Sequence, residues 1–92
     1  MRKIRYTKQF IRQYKKYRKK YPLLEREVEQ TLLMLENNPF DPRLKTHKLH
    51  GKLSSTLSCI CGFDCRILFE IEKIEEDEVI TVYKIGTHDE MY

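Results

Sequence analysis

The stretch DCRILFEIEKIEEDEVITVYKI, residues 64–85, decides the fold of this chain. It predicts two strands at residues 64–73 and 79–85, joined by a hairpin turn at 75–77. The second strand carries apolar residues on both parities, which is typical of a strand buried inside a sheet. A further strand is expected upstream, at about residues 49–61. The C-terminal half is therefore predicted to be a meander of three strands.

The N-terminal half predicts one short strand followed by two helices. Residues 2–7 alternate between apolar and charged side chains, and Thr7 can cap the helix that follows. Pro22 ends that helix and suits the first turn of a second one, which runs to about residue 36. Both helices carry an apolar stripe expected to face the core: Phe10, Tyr14, Tyr17 and Tyr21 in the first, and Leu24, Val28, Thr31, Leu32 and Leu35 in the second.

The predicted order is β-α-α-β-β-β, an α+β fold in one domain over residues 1–92. The chain has 92 residues, too few for two separate cores. We expect the N-terminal helical hairpin to pack on one face of a small, mostly antiparallel sheet. The opposite face or its edge then remains available for a site.

Charge is distributed unevenly along the chain, although the formal net charge is only +4. Residues 1–21 hold ten basic side chains and no acidic one, whereas residues 70–78 hold six acids and one lysine. A basic end of this density favours a polyanion or an acidic protein as partner, because lysine and arginine release counterions from phosphates. The alternative is a solvated helix face without a partner.

Cysteine usage and hydropathy indicate a cytoplasmic protein. No apolar run is long enough to cross a bilayer, and the first residues lack the apolar block of a signal peptide. Cys59, Cys61 and Cys65 do not have zinc-site spacing, and they share parity with Phe63 and Ile67 on the apolar side of the strand. We therefore expect three reduced core thiols, no disulfide, no metal and no cofactor.

Several polar residues near predicted strand ends could carry chemistry, namely Asp64, Arg66, His47, His50, His88 and Tyr92. RNA can be cut without a metal when a base removes the 2′-hydroxyl proton, a cation stabilises the phosphorane and an acid protonates the leaving oxygen. Histidine suits the proton steps, and arginine suits the phosphate. Each histidine could equally be an idle surface residue, so these side chains would have to converge.

These residues resemble the RelE/ParE superfamily of toxin-antitoxin toxins, and within it the YafQ-type messenger RNA endonucleases. The similarity covers essentially the whole chain and includes the basic helical hairpin. It is carried by HKLHG at residues 47–51, DCRILF at 64–69 and, most specifically, GTHDEMY at 86–92.

The resemblance assigns roles to individual positions. His88 corresponds to the near-terminal catalytic histidine and Tyr92 to the aromatic residue four places later. His47 corresponds to a histidine before the glycine, Asp64 to the acid that opens the middle strand and Arg66 to a phosphate-binding arginine. The resemblance also implies RNA contacts from His50, Lys52, Lys15, Lys16, Arg18, Lys19 and Lys20. Two positions depart from the pattern, since Ile60 and Cys65 stand where some members have histidine and tryptophan.

The implied protein is a toxin of a type II toxin-antitoxin system that enters the ribosomal A site and cuts messenger RNA there. Its basic surface would bind ribosomal RNA, and a cognate antitoxin would neutralise it. Two alternatives remain open at this point: a ParE-like toxin that inhibits DNA gyrase without nuclease chemistry, and a non-catalytic RNA-binding member. Sequence leaves the codon preference, the identity of the antitoxin and the choice of acid and base open.

Overall fold

The computed structural model describes residues 2–49 and 55–91, apart from the side chain of Met91. Short 3-10 turns at Pro22–Leu24 and Pro42–Leu44 connect some of the main elements. The strands and helices are β1 (Arg2–Tyr6), α1 (Lys8–Lys20), α2 (Glu25–Asn37), β2 (His47–Lys48), β3 (Leu57–Ile60), β4 (Cys65–Ile74), β5 (Asp77–Thr87) and α3 (His88–Met91).

The strands form one sheet in the order β1-β5-β4-β3-β2. β1 runs parallel to β5, and the other neighbours are antiparallel. This confirms the predicted α+β class with a mostly antiparallel sheet, and it places β5 in the interior as expected. No helix among the described residues is long and apolar enough to cross a membrane.

The strand predicted at residues 49–61 is wrong in its extent. The chain reverses instead, so that β2 pairs with β3 through His47 opposite Ser58 and Lys48 opposite Leu57. The backbone N–H of Leu49 donates to the carbonyl of Thr56 at 3.0 Å. The sequence between the two strands contains Gly51, Ser54 and Ser55, residue types that are common where a chain reverses.

The two helical stripes pack against one face of the sheet, as predicted. Phe10 and Tyr17 of α1 and Val28 and Leu35 of α2 are buried in the core, together with the apolar side chains of β3, β4 and β5. Thr7 caps α1, because its Oγ1 accepts from the N–H of Phe10 at 3.1 Å. The aromatic stripe is therefore part of the core and does not form a stacking surface for nucleic acid.

Helix α1 also completes the edge of β5 where β1 has ended. β1 pairs with β5 only up to Val82, so the N–H groups beyond that residue need another partner. The side-chain oxygen Oε1 of Gln13 accepts from the N–H of Ile85 at 3.1 Å. This bond fixes the last turns of α1 beside the end of β5.

A β-bulge resets the side-chain parity of β5. Phe69 of β4 lies opposite Val82, whereas its neighbour Leu68 lies opposite Lys84, so Tyr83 is the extra residue. As a result Val82 and Ile85, three positions apart, both face the helices and are buried. Apolar residues occur at both odd and even positions of this strand partly because the bulge shifts the alternation, and burial of both faces is not the whole explanation.

The cysteine prediction is wrong for two of the three residues. Cys61 and Cys65 form a disulfide that closes a five-residue loop, and only Cys59 is a free thiol. The two sulfur atoms meet because the chain turns at Gly62 and brings the Cα atoms to 5.0 Å. Burial raises the pKa of Cys59 to about 12, so this thiol stays protonated and unreactive.

Phe63, expected on the apolar side with the thiols, is fully exposed. The expectation assumed an extended strand through residues 59–71. The turn at Gly62 interrupts the alternation, and Phe63 lies at its tip.

Loss of the disulfide should lower the free energy of unfolding by about 2 kcal/mol, because the unfolded chain is no longer constrained by a closed five-residue loop and gains conformational entropy. Reduction and the double substitution Cys61→Ser/Cys65→Ser both remove it. Urea unfolding measures the change. Alkylation of the unreduced protein in denaturant should label one cysteine, and alkylation after reduction should label three. Three labels without reduction would contradict the disulfide.

Candidate active site at the end of the sheet

Asp64 and His88 lie in contact at one end of the sheet. The pairing of Cys65 with Thr87 places the residue before β4 beside the residue after β5. Asp64 Oδ1 accepts from the backbone N–H of His88 at 3.3 Å. The His88 side chain is 57% exposed, and its Nδ1 lies 3.7 Å from Asp89 Oδ1. Two predicted site residues, 24 positions apart in sequence, are therefore brought together.

The motif THDE at residues 87–90 owes part of its pattern to helix capping. Thr87 Oγ1 accepts from the N–H of Glu90 at 3.4 Å, and Glu90 Oε1 accepts from the N–H of Thr87 at 2.7 Å. These reciprocal bonds form a capping box, which starts α3 at His88. Sequence reasoning missed both residues, although their spacing is the signal for such a box.

Arg66 lies one pair along the same ladder, between Ile60 of β3 and Gly86 of β5. Its side chain points away from the helices, because the neighbouring Cys65 and Ile67 face the core. Its Nη1 donates to the carbonyl of Cys65 at 2.9 Å. The guanidinium is thus half-buried near the Asp64–His88 contact, with donors left for a further acceptor.

His47 is not part of this contact. It lies on β2 and pairs with Ser58 of β3, two strands from Arg66 and two residues further along the sheet, so the backbones of His47 and Arg66 are about 12 Å apart. Through the pairing of Ser58 with Leu68, its side chain faces the same side of the sheet as Arg66. The imidazole is exposed, and Nδ1 lies 3.1 Å from the carbonyl oxygen of Lys45.

Three predicted site residues, His50, Lys52 and Tyr92, lie outside the described residues. Within residues 2–49 and 55–91, no group of three His, Cys, Asp or Glu side chains is placed to hold a metal ion.

The basic surface predicted on the first helix is exposed along α1, and we define it as the side chains of Lys15, Lys16, Arg18, Lys19 and Lys20. Arg18 pairs with Glu25 at 3.5 Å, whereas the four lysines have no salt bridge with any described residue. Arg18, Lys19 and Lys20 lie in the last turn of α1, where the negative end of the helix dipole stabilises positively charged side chains.

A surface cleft of about 330 Å³ connects this basic surface with the end of the sheet. Lys16 and Lys20 of α1 line it together with Lys84 of β5 and Glu90 of α3. The pKa of Tyr17 in the same cleft is raised, mainly by burial, with smaller contributions from Tyr21 and from the negative charges of Asp64 and Glu90. The cleft therefore joins α1 to the end of β5 and to α3, the short helix that begins at His88.

The fold agrees with solved toxin structures. Escherichia coli YafQ superposes with a TM-score of 0.80 at 18% identity over 100% of this chain and 99% of that chain. In the E. coli DinJ–YafQ toxin-antitoxin complex, the matching chain gives a TM-score of 0.78 at 18% identity, covering 99% of this chain and 97% of that chain. A metal-bound toxin from Helicobacter pylori gives 0.71 at 26% identity, covering 100% of both chains.

No curated protein sequence matches the chain. The family model for YafQ, described as a bacterial toxin of type II toxin-antitoxin systems, matches residues 2–92. This match agrees with the resemblance found in the sequence and with the superpositions. The chain belongs to the YafQ family of bacterial toxins of type II toxin-antitoxin systems.

Proposed function

We propose that this protein is a ribosome-dependent endoribonuclease that cuts messenger RNA in the ribosomal A site and so stops translation. The observation that carries the proposal is the contact of Asp64 with His88, with Arg66 one ladder pair away. A proton-transfer group and a phosphate-binding cation thus lie within one small, exposed area. A gyrase inhibitor would not need this combination.

The reaction needs three functions at one phosphate. A base removes the 2′-hydroxyl proton, the oxygen attacks phosphorus, and an acid protonates the departing 5′-oxygen. His88 and His47 are the proton-transfer candidates, and Arg66 binds the phosphate oxygens, on which negative charge grows. His47 and Arg66 face the same side of the sheet, which supports the proposal that both contact the RNA.

Tyr92, four residues after His88, is proposed to position the substrate, and His50 and Lys52 to contact the RNA. Asp64 is a positioning residue in this proposal. Its carboxylate binds the backbone of His88 and therefore sets where the imidazole stands relative to Arg66.

The basic surface on α1 is proposed to bind ribosomal RNA, and an acidic segment of a cognate antitoxin is proposed to bind it when the toxin is inactive. The four lysines without described salt bridges support this, because their charges are available to phosphates or carboxylates. The complex of the related E. coli toxin with its antitoxin supports such a partner. The cleft beside Lys16 and Lys20 extends from this surface to Glu90 of α3, two residues after His88.

Substitutions His88→Ala and Arg66→Ala should each slow messenger RNA cleavage by at least about a hundredfold, because each removes a group that acts in the transition state. Expressed without antitoxin, the unaltered protein should stop incorporation of labelled amino acids, and both variants should restore it. Lys73→Ala, at the far end of β4, is the matched control and should stay toxic.

Mapping of messenger RNA 5′ ends after induction should show cuts in the A site. Full toxicity of both variants would refute the assigned site. A DNA-damage response with intact messenger RNA would indicate gyrase inhibition instead, and toxicity with neither result would indicate RNA binding without cleavage.

The pair Asp64→Asn and Asp64→Ala tests the positioning role. Asparagine keeps an oxygen that can accept from the N–H of His88, whereas alanine removes the bond. We expect the asparagine variant to keep its single-turnover cleavage rate within about threefold and the alanine variant to lose about tenfold. Equal losses in both variants would show that the charge of Asp64 matters and its hydrogen bond does not.

The double substitution Lys15→Ala/Lys19→Ala should weaken ribosome binding, because two phosphate contacts are lost. A plot of log affinity against log salt concentration should fall less steeply, with the magnitude of its slope reduced by about 1.5. The control Arg26→Ala/Lys73→Ala removes two exposed positive charges elsewhere and should leave the slope unchanged. Binding of ribosomes across a salt series measures both. A similar fall in the control would mean that only net charge matters.

A further inference from the structure

Phe63 is an aromatic side chain that the fold leaves entirely in solvent, with 100% of its surface exposed. Its neighbours in the same segment behave differently, since Cys61 and Cys65 are 2% and 0% exposed. Single exposed apolar residues are common on protein surfaces. Phe63 differs from these because it lies in a cross-linked loop, directly before Asp64 of the candidate site.

The backbone that carries Phe63 is held at both ends. The Cys61–Cys65 disulfide closes the loop, and the N–H of Cys61 donates to the carbonyl of Cys65 at 3.1 Å. Between them, Gly62 adopts φ of +115°, and a Cβ there would collide with Oε2 of Glu27 on α2. The outward direction of the Phe63 ring is therefore set by a buried, cross-linked base.

The residues next to Phe63 belong to the candidate site. Asp64 follows it directly and binds His88, and Arg66 begins the β4 face that looks away from the helices. The ring is therefore carried by the same turn that carries Asp64 into the candidate site, and it is fully open to a ligand bound there. Unpaired RNA bases are commonly bound by stacking on exposed aromatic rings.

We propose that Phe63 is a stacking platform for an unpaired base of the RNA next to the phosphate held by Arg66. This inference rests on the proposed nuclease function and deepens it, because it names a residue that positions the substrate. Phe63 takes no part in proton transfer. It contributes binding, and it makes the site sensitive to whether the flanking base is free to stack.

The test uses an RNA oligonucleotide with a 2′-deoxy substitution at the cut position, so that it binds without being cleaved, and with 2-aminopurine as the flanking base. Stacking quenches the fluorescence of 2-aminopurine, so the titration reports both affinity and stacking. Binding is measured on the ribosome with an empty A site. KM and kcat for cleavage of the matching all-ribose messenger RNA are measured in parallel.

Phe63→Ala should weaken binding and raise KM by about 10- to 100-fold and abolish the quenching, with kcat changed much less. Phe63→Trp and Phe63→Tyr should stay within about threefold of the unaltered protein. Phe63→Leu, which keeps apolar bulk without a π-face, should behave like the alanine variant. Leu23→Ala, which removes another exposed apolar side chain at 92% exposure, is the matched control and should change nothing.

Because the Phe63 ring is exposed, its replacement should leave the melting temperature unchanged, so loss of folding does not confuse the result. Unchanged binding and quenching in Phe63→Ala, while His88→Ala abolishes cleavage, would overturn the stacking proposal alone. Loss of antitoxin binding with unchanged RNA binding would assign the ring to a protein partner and also overturn it. Absence of cleavage by the unaltered protein would refute the nuclease function, whereas the quenching titration would still report on Phe63.

Discussion

The pairing of β4 with β5 is the constraint on which the rest of this structure depends. It runs from Ile74 opposite Asp77 to Cys65 opposite Thr87, so the two ends of a long hairpin return to the same place. Residues before β4 and after β5 meet there, and the candidate site is built from them. The bulge at Tyr83 completes the arrangement, because without it the register would slip by one residue and Ile85 would leave the core.

The basic surface and the candidate site lie on different elements of the fold. The basic side chains lie on α1, and α1 is tied to the end of β5 by the bond between Gln13 and Ile85. A polyanion bound to α1 is therefore held at a fixed distance from His88. A cleft lined by Lys16, Lys20, Lys84 and Glu90 lies between α1 and α3, and the capping box of Thr87 and Glu90 starts α3 at His88.

The loop of residues 61–65 gives the site its rigid border. A chain of 92 residues buries a modest core, and a short disulfide adds stability where the sheet turns. Phe63 and Asp64 both lie inside the loop that this disulfide closes. One turn therefore carries both the disulfide and the side chain proposed to recognise the substrate.

The sequence by itself determined the elements that rest on local patterns. The helical stripes, the cap at Thr7, the hairpin after β4 and the mixed fold follow from periodicity and turn chemistry, which act over a few residues. The motifs at residues 64–69 and 86–92 indicated the family, and the resemblance they carry named Asp64 and His88 as candidate site residues.

Tertiary structure alone decided what depends on contacts across the sheet. The Cys61–Cys65 bond and the exposure of Phe63 arise from one turn that a parity count over residues 59–71 cannot detect. The distance of His47 from Arg66 follows from strand order, and the bulge follows from packing of Val82 and Ile85 together. Local residue preferences fix periodicity, whereas register and strand order are set by burial of side chains that are distant in sequence.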